Sequence, residues 1–151
     1  MLLHPTAFPG SWGIGDLGRE AFAFVDFLHG TGQQLWQILP LGPPALAGSP
    51  YSALSAVAGN PLLVSLEKLE EQGLLDEGDS RSGPFPVDAP VDFEAVADVK
   101  MPLLRKAFTR LASLPERQVV FEEFCETHAE WLDEYALFMA IKEAEDGAVW
   151  M

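Results

Sequence analysis

The chain has 151 residues, 48% of them hydrophobic and 21% charged, which suffices for one domain with a buried core and is too apolar for a disordered polypeptide. A net charge of −14 argues against nucleic acid and anionic membrane surfaces as partners, because both demand Lys and Arg to replace counterions. The single cysteine, Cys125, excludes an internal disulfide, and within FEEFCETH it reads as a buried structural thiol.

In chain order, Leu2–His4 is a short apolar run stopped by Pro5, as in a brief strand that ends in a loop. The opening MLLHPTAFPG lacks the basic flank and long apolar core of a signal peptide, and no apolar run approaches the roughly eighteen residues of a membrane span. A cytoplasmic location is the expectation. After the loop PTAFPGSWGIG, Asp16 is expected to cap a helix that runs to about His29, with Phe22, Val25 and Leu28 on its packed face and Gly30 or Gly32 as the stop. Leu35–Leu39, LWQIL, is apolar at nearly every position and bounded by Pro40, the pattern of a strand buried on both faces. Strand, helix and strand in succession imply two parallel strands of an α/β fold.

Charge is distributed unevenly. Met1–Ser65 holds only Asp16, Arg19, Glu20 and Asp26, and Phe27–Leu66 holds no Asp, Glu, Lys or Arg at all. The first part therefore reads as mostly interior and the rest as a solvated acidic surface. Within the uncharged stretch lies Gly48–Pro61, GSPYSALSAVAGNP, which carries Tyr51 and three serines. A neutral loop after a strand suits a sugar: an aromatic ring stacks on the apolar face of a pyranose while hydroxyls exchange hydrogen bonds. The alternative is a packed loop with Tyr51 half-buried.

The second half is helical. Glu67–Gln72 is a turn or two ended by Gly73, and Asp76–Asp92 is a loop rich in Pro, Gly and Ser. Three helices are expected at about Phe93–Ala112, Glu116–Thr127 and Glu130–Glu145, with Ser113 and Pro115 starting the second. Trp131, Tyr135, Phe138 and Ile141 or Lys142 share one face of the last, and its aromatics read as core. Two parallel strands and these helices do not close a sheet, and the terminal GAVWM ends on apolar groups, so the chain reads as the opening part of a larger α/β protein.

Gly13–Gly18, GIGDLG, satisfies G-x-G-x-x-G, yet it does not follow its strand directly and no acid ends the next strand, so a turn into a helix is the better reading. His4, His29 and His128 lack metal-ligand spacing, and neither a metal nor an organic cofactor is implied. His29 and His128 sit near helix ends. His4 stands at a strand's end, where parallel α/β folds build their sites. The acids at Asp76–Asp79 and Glu122–Glu126 read as solvated, and no constellation of catalytic residues emerges.

At LLHPTAFPGSWGIGDLG, LWQILPLGP and GSPYSALSAVAGNPLLVSLEKL the chain resembles the N-terminal part of the amylomaltases, 4-alpha-glucanotransferases of the glycoside hydrolase 77 type related to the alpha-amylases. The resemblance continues through PVDFEAVADVKMPLLRKAF and WLDEYALFMAIK. It implies a (β/α)8 TIM barrel with inserted subdomains, in which residues 1–65 contribute strands one and two with a sugar-lining loop and residues 66–151 belong to a mainly helical insertion. A complete barrel takes about 250 residues. Partners would be a maltooligosaccharide or starch-like glucan and the remainder of the barrel. The family's retaining carboxylates would fall beyond Met151, so this chain would hold substrate contacts without catalytic groups. Tyr51 matches the Tyr of the family's D-S-P-Y, which stacks beneath the sugar at the cleavage point; Ser49 matches its glucan-contacting Ser; His4 matches the His of L-H-P-T-S. Departures from the family pattern are Leu46 for an aromatic, Gly48 for the Asp, Leu54 for a Phe and Ala7 for a Ser. Two other readings stay open: a carbohydrate-binding protein without catalysis, and a purely structural half-barrel.

Overall fold

Five helices form among the described residues: α1 (Arg19–Gly30), α2 (Leu66–Glu71), α3 (Phe93–Ala112), α4 (Pro115–Thr127) and α5 (Ala129–Ala144), with 3-10 turns at Pro5–Ala7 and Pro61–Leu63. The computed structural model describes residues 1–45, 48–81, 83–86 and 89–145. The chain divides into two compact units, Met1–Ser113 and Leu114–Met151.

Local chemistry sets most helix ends. The Ser65 side chain accepts from the Lys68 amide to start α2, and Asp92 accepts from the Ala95 amide at 3.0 Å to start α3. Behind α1 the Gly32 and Gln33 amides return to the carbonyls of His29 and Leu28, and behind α2 the Gly73 and Leu74 amides return to Glu70 and Leu69. Both are Schellman closures, with a glycine at positive φ making the reversal.

Several expectations are corrected. Helix α1 begins at Arg19 after Gly18, and Asp16 does not cap it; its carboxylate accepts from the Gly18 amide and faces Lys100 instead. On α1 the buried residues are Ala21 and Leu28, whereas Phe22 and Val25 are exposed, Phe22 lying beneath the Lys68 ammonium at 4.7 Å. Leu2–His4 and Leu35–Leu39 form no continuous strands: they meet in one isolated parallel bridge between Leu2 and Gln37. Leu35, expected to be buried, is 80% exposed, and Ile38 is exposed too. A lone pair of strands is marginal unless further strands or helices cover it. Within this chain by itself the uncharged stretch is not mostly interior, with Leu35, Ile38, Tyr51 and Val57 exposed. What holds the pair is an aromatic group, Phe8, Phe24 and Trp36, with ring centroids 5.2–5.7 Å apart, and the Trp36 indole donating to the Leu3 carbonyl at 2.8 Å.

The core of the first unit gathers Ile14, Leu62 and Val96, flanked by Phe85, Val91, Phe93, Ala97 and Met101. Helix α3 supplies its buried face through Val96, Lys100 and Ala107 and runs on through Pro102, which lies on the exposed side. The three glycines of GIGDLG serve close packing: a methyl at Gly13 would meet the Phe85 ring, at Gly15 the backbone of Pro5 and Phe8, and at Gly18 the Ser65 and Asp16 side chains.

Ser113 proves to be the C-cap of α3 and closes the first unit, and Leu114, the residue before α4, opens the second. The expected core stripe of α5 is only half-buried at Trp131, Tyr135 and Phe138 and exposed at Ile141; α4 and α5 bury no residue fully. Instead the rings of Phe124, His128, Trp131 and Tyr135 follow one another at 4.5, 5.9 and 6.3 Å across the joint between the helices. Cys125 is free and half-buried, not fully enclosed. The terminal GAVWM and Leu46 lie outside the described residues.

Candidate functional site

His4 ends the first bridge-forming segment and its ring is held on both sides. Nδ1 lies 2.8 Å from the Thr6 hydroxyl and accepts from the Thr6 amide at 3.4 Å, while Nε2 lies 3.3 Å from the Pro40 carbonyl. A carbonyl can only accept, so Nε2 carries the proton and Nδ1 takes the Thr6 hydroxyl hydrogen. His4 thereby ties the end of the first segment to the end of LWQIL.

Between those two ends opens a cavity of about 160 Å3, lined among others by His4, Thr6, Pro40, Gly48, Pro50 and Phe93. The loop that closes it is a small antiparallel turn: Pro44 bridges Ala53, the Leu54 amide donates to the Pro43 carbonyl at 2.9 Å, and the Ser52 amide donates to the Ser49 carbonyl at 3.1 Å. Asn60 anchors its far side, the amide donating to the Leu41 carbonyl at 2.8 Å and the side chain accepting from the Leu62 amide.

Two of the three residues picked from the sequence stand apart from the cavity lining. Ser49 is half-buried in the turn. Tyr51 is 76% exposed in this chain, not half-buried. His4 alone lines the cavity, joined to the loop through Gly48 and Pro50. Gly48 adopts φ +71°, and the space a side chain would take there is filled by the Phe93 ring from the start of α3. An Asp at this position would collide with that ring. Sequence reasoning missed Phe93; VDFE marks a helix start, and nothing local says which loop the ring meets.

It missed two electrostatic groups as well. Lys100 is fully buried: Nζ donates to the carbonyls of Leu62 at 2.7 Å and Val64 at 2.9 Å and lies 3.8 Å from Asp16. Burial pushes the Lys100 ammonium below its usual range and the Asp16 carboxyl above its own, each partly offset by the other's charge. Asp76 and Asp79, expected to be merely solvated, are paired: Lys106 reaches them at 2.7 and 2.6 Å, and Arg110 reaches Asp76 at 2.6 Å. Hydrogen bonds from Lys106 and Arg110 hold the Asp76 carboxyl down at about 2. Glu70 is likewise lowered by the Ser80 hydroxyl and by the Gly78 and Ser80 amides that it accepts from. These contacts link the loop after α2 to α2 itself and to α3. Among the described residues no group of His, Cys, Asp and Glu could hold a metal ion, and no helix is long and apolar enough to cross a membrane.

Residues 3–151 match the family model described as 4-alpha-glucanotransferase, glycoside hydrolase 77. The 4-alpha-glucanotransferase of Synechocystis is 45% identical over 152 residues, covering 99% of this chain and 30% of that protein. The enzyme of that name from Thermus thermophilus is 44% identical with the same coverage. The amylomaltase of Streptococcus agalactiae, solved in complex with acarbose, superposes with a TM-score of 0.90 at 37% identity, over 98% of this chain and 30% of that one. The chain therefore has the fold of the matched part of an amylomaltase and spans 30% of the length of these relatives. It belongs to the 4-alpha-glucanotransferase family, glycoside hydrolase 77.

Proposed function

We propose that this chain is the amino-terminal part of a cytoplasmic 4-alpha-glucanotransferase that moves alpha-1,4-glucan segments between maltooligosaccharides. Residues 1–65 open the (β/α)8 barrel and residues 66–151 form an inserted helical subdomain. The rest of the barrel covers the exposed apolar residues Leu2, Leu35 and Ile38. The observation that carries the reading is the exposed Tyr51 ring on a loop without ionisable acids or bases, whose backbone also closes the cavity at His4. Tyr51 stacks against a glucose ring, Ser49 contributes a polar contact to the glucan, and His4 orients the cavity wall by joining Thr6 to Pro40.

The reaction is a retaining double displacement. One carboxylate attacks the anomeric carbon, a second protonates the departing oxygen, and the 4-hydroxyl of an acceptor sugar then displaces the enzyme. Both carboxylates come from segments outside this chain. The binding role fits an acidic protein, since a neutral glucan needs no compensating charge.

Incubating the complete product of the gene with maltotriose tests the proposal. Glucose together with a ladder of longer maltooligosaccharides is the expected result. A folded product that binds maltotriose and forms no ladder would replace it with the non-catalytic carbohydrate-binding reading.

A further inference from the structure

Gly48, at φ +71°, presents its bare Cα to the ring of Phe93, and both residues line the cavity shared with His4 and Pro50. Phe93 is the first residue of α3, and its backbone is fixed from two directions. Asp92 caps the helix through the Ala95 amide, and three residues on, the fully buried Val96 belongs to the core that Phe93 packs against. The ring is thus a rigid post planted in the helical segment and set against the loop that carries Ser49 and Tyr51. Among the described residues the loop's backbone hydrogen bonds, from the Ala45 amide to the Ser52 carbonyl, from Ser52 to Ser49 and from Leu54 to Pro43, close a turn, and the Phe93 ring is what meets Gly48 from outside it.

We propose that Phe93 is a positioning residue for the Ser49–Tyr51 loop: its ring, seated on Gly48, sets the loop's conformation and with it the direction in which Tyr51 is presented to a glucan. The functional half of this rests on the sugar-site reading above; the structural half does not. Gly48 suits the position twice over, because glycine adopts this backbone angle freely and leaves the space that the ring occupies. The helical segment thereby has a direct mechanical link to the sugar-facing loop.

Amide hydrogen exchange on the complete gene product, with no substrate present, tests the structural half. Phe93→Ala should speed exchange at the Ser52 and Leu54 amides by about tenfold or more while the Val64 and Leu69 amides keep their protection. Phe93→Leu, which retains apolar bulk, should restore at least part of it. If Phe93→Ala loses protection throughout the unit, Gly48→Ala is compared with wild type instead, and local loss confined to the loop is again expected. Adding Gly48→Ala to a Phe93→Ala background should then change loop exchange less than it does in wild type, because the clash partner is gone. Unchanged exchange at Ser52 and Leu54 in both single variants, or fully additive effects in the double variant, would overturn the proposal. In the complete gene product, Phe93→Ala should raise KM for maltotriose several-fold more than it lowers kcat. Faster loop exchange with unaltered maltotriose kinetics would leave the post in place and reject its role toward sugar.

Discussion

Lys100 Nζ lies 3.8 Å from Asp16 Oδ2 and donates to two carbonyls that end the Pro61–Leu63 turn, so one ammonium joins the GIGDLG loop, that turn and helix α3. A buried cation is tolerated when it is hydrogen-bonded and paired, and here two carbonyls accept from it while the Asp16 carboxylate faces it as counter-charge. Removing the cation leaves the two carbonyls without their donor and Asp16 without its counter-charge. Lys100→Met should therefore cost ~3 kcal/mol, and Asp16→Asn, which keeps a partly exposed acceptor for the Gly18 amide, about 1 kcal/mol. Urea unfolding of the two variants checks both the size and the order; equal small losses would mean that the pair is incidental.

The Asp76, Asp79, Lys106 and Arg110 cluster predicts the acid limb of the stability profile. The folded Asp76 carboxyl titrates near 2 against 3.8 in the ordinary range, so its contribution is present above 3.8 and is lost as pH falls toward 2. Glu70 and Asp79, also lowered, act in the same sense. Asp16 runs the other way: with its pKa raised, its contribution is present below 3.8 and lost as pH rises, which offsets part of the acid loss. Melting curves between pH 5 and pH 2 should show wild type more stable than Asp76→Asn at the upper end, with the gap closing at the lower. A gap independent of pH would contradict the ion-pair assignment.

Two glycines at helix ends separate backbone strain from packing. Gly73 closes α2 at φ +72° and has open space around it, so Gly73→Ala should cost ~1 kcal/mol from strain alone. Gly30, the last residue of α1, also has open space but an ordinary φ, and Gly30→Ala should add about 0.5 kcal/mol through reduced freedom of the unfolded chain. Opposite shifts in denaturant midpoint are the signature to look for.

Tyr51 is exposed enough that Tyr51→Ala should leave the melting temperature essentially unchanged. In the complete gene product the same substitution should lower kcat/KM for maltotriose by about tenfold, the equivalent of one stacking contact of ~1.4 kcal/mol. An unaltered rate removes Tyr51 from the site.

Helices α2 to α5 and the family motifs were legible in the linear chain because their determinants are local. Ser65 caps α2 by reaching the Lys68 amide, Asp92 caps α3 by reaching Ala95, Gly73 ends α2 and Pro115 begins α4, all through contacts a few residues long. Hydrophobicity was a poorer guide to burial. LWQIL and the α5 stripe have the composition of interior segments, yet a residue is buried only where another surface meets it, and that surface is no property of the segment itself. The functional loop shows the same division. Its neutrality and its Tyr51 could be read directly, but the fit of Phe93 to Gly48 and of His4 to Pro40 could not, and neither could the burial of Lys100 against Leu62, 38 residues away. Distant pairings depend on how the whole unit packs, since many positions could supply an acceptor or a ring and only the folded geometry selects one.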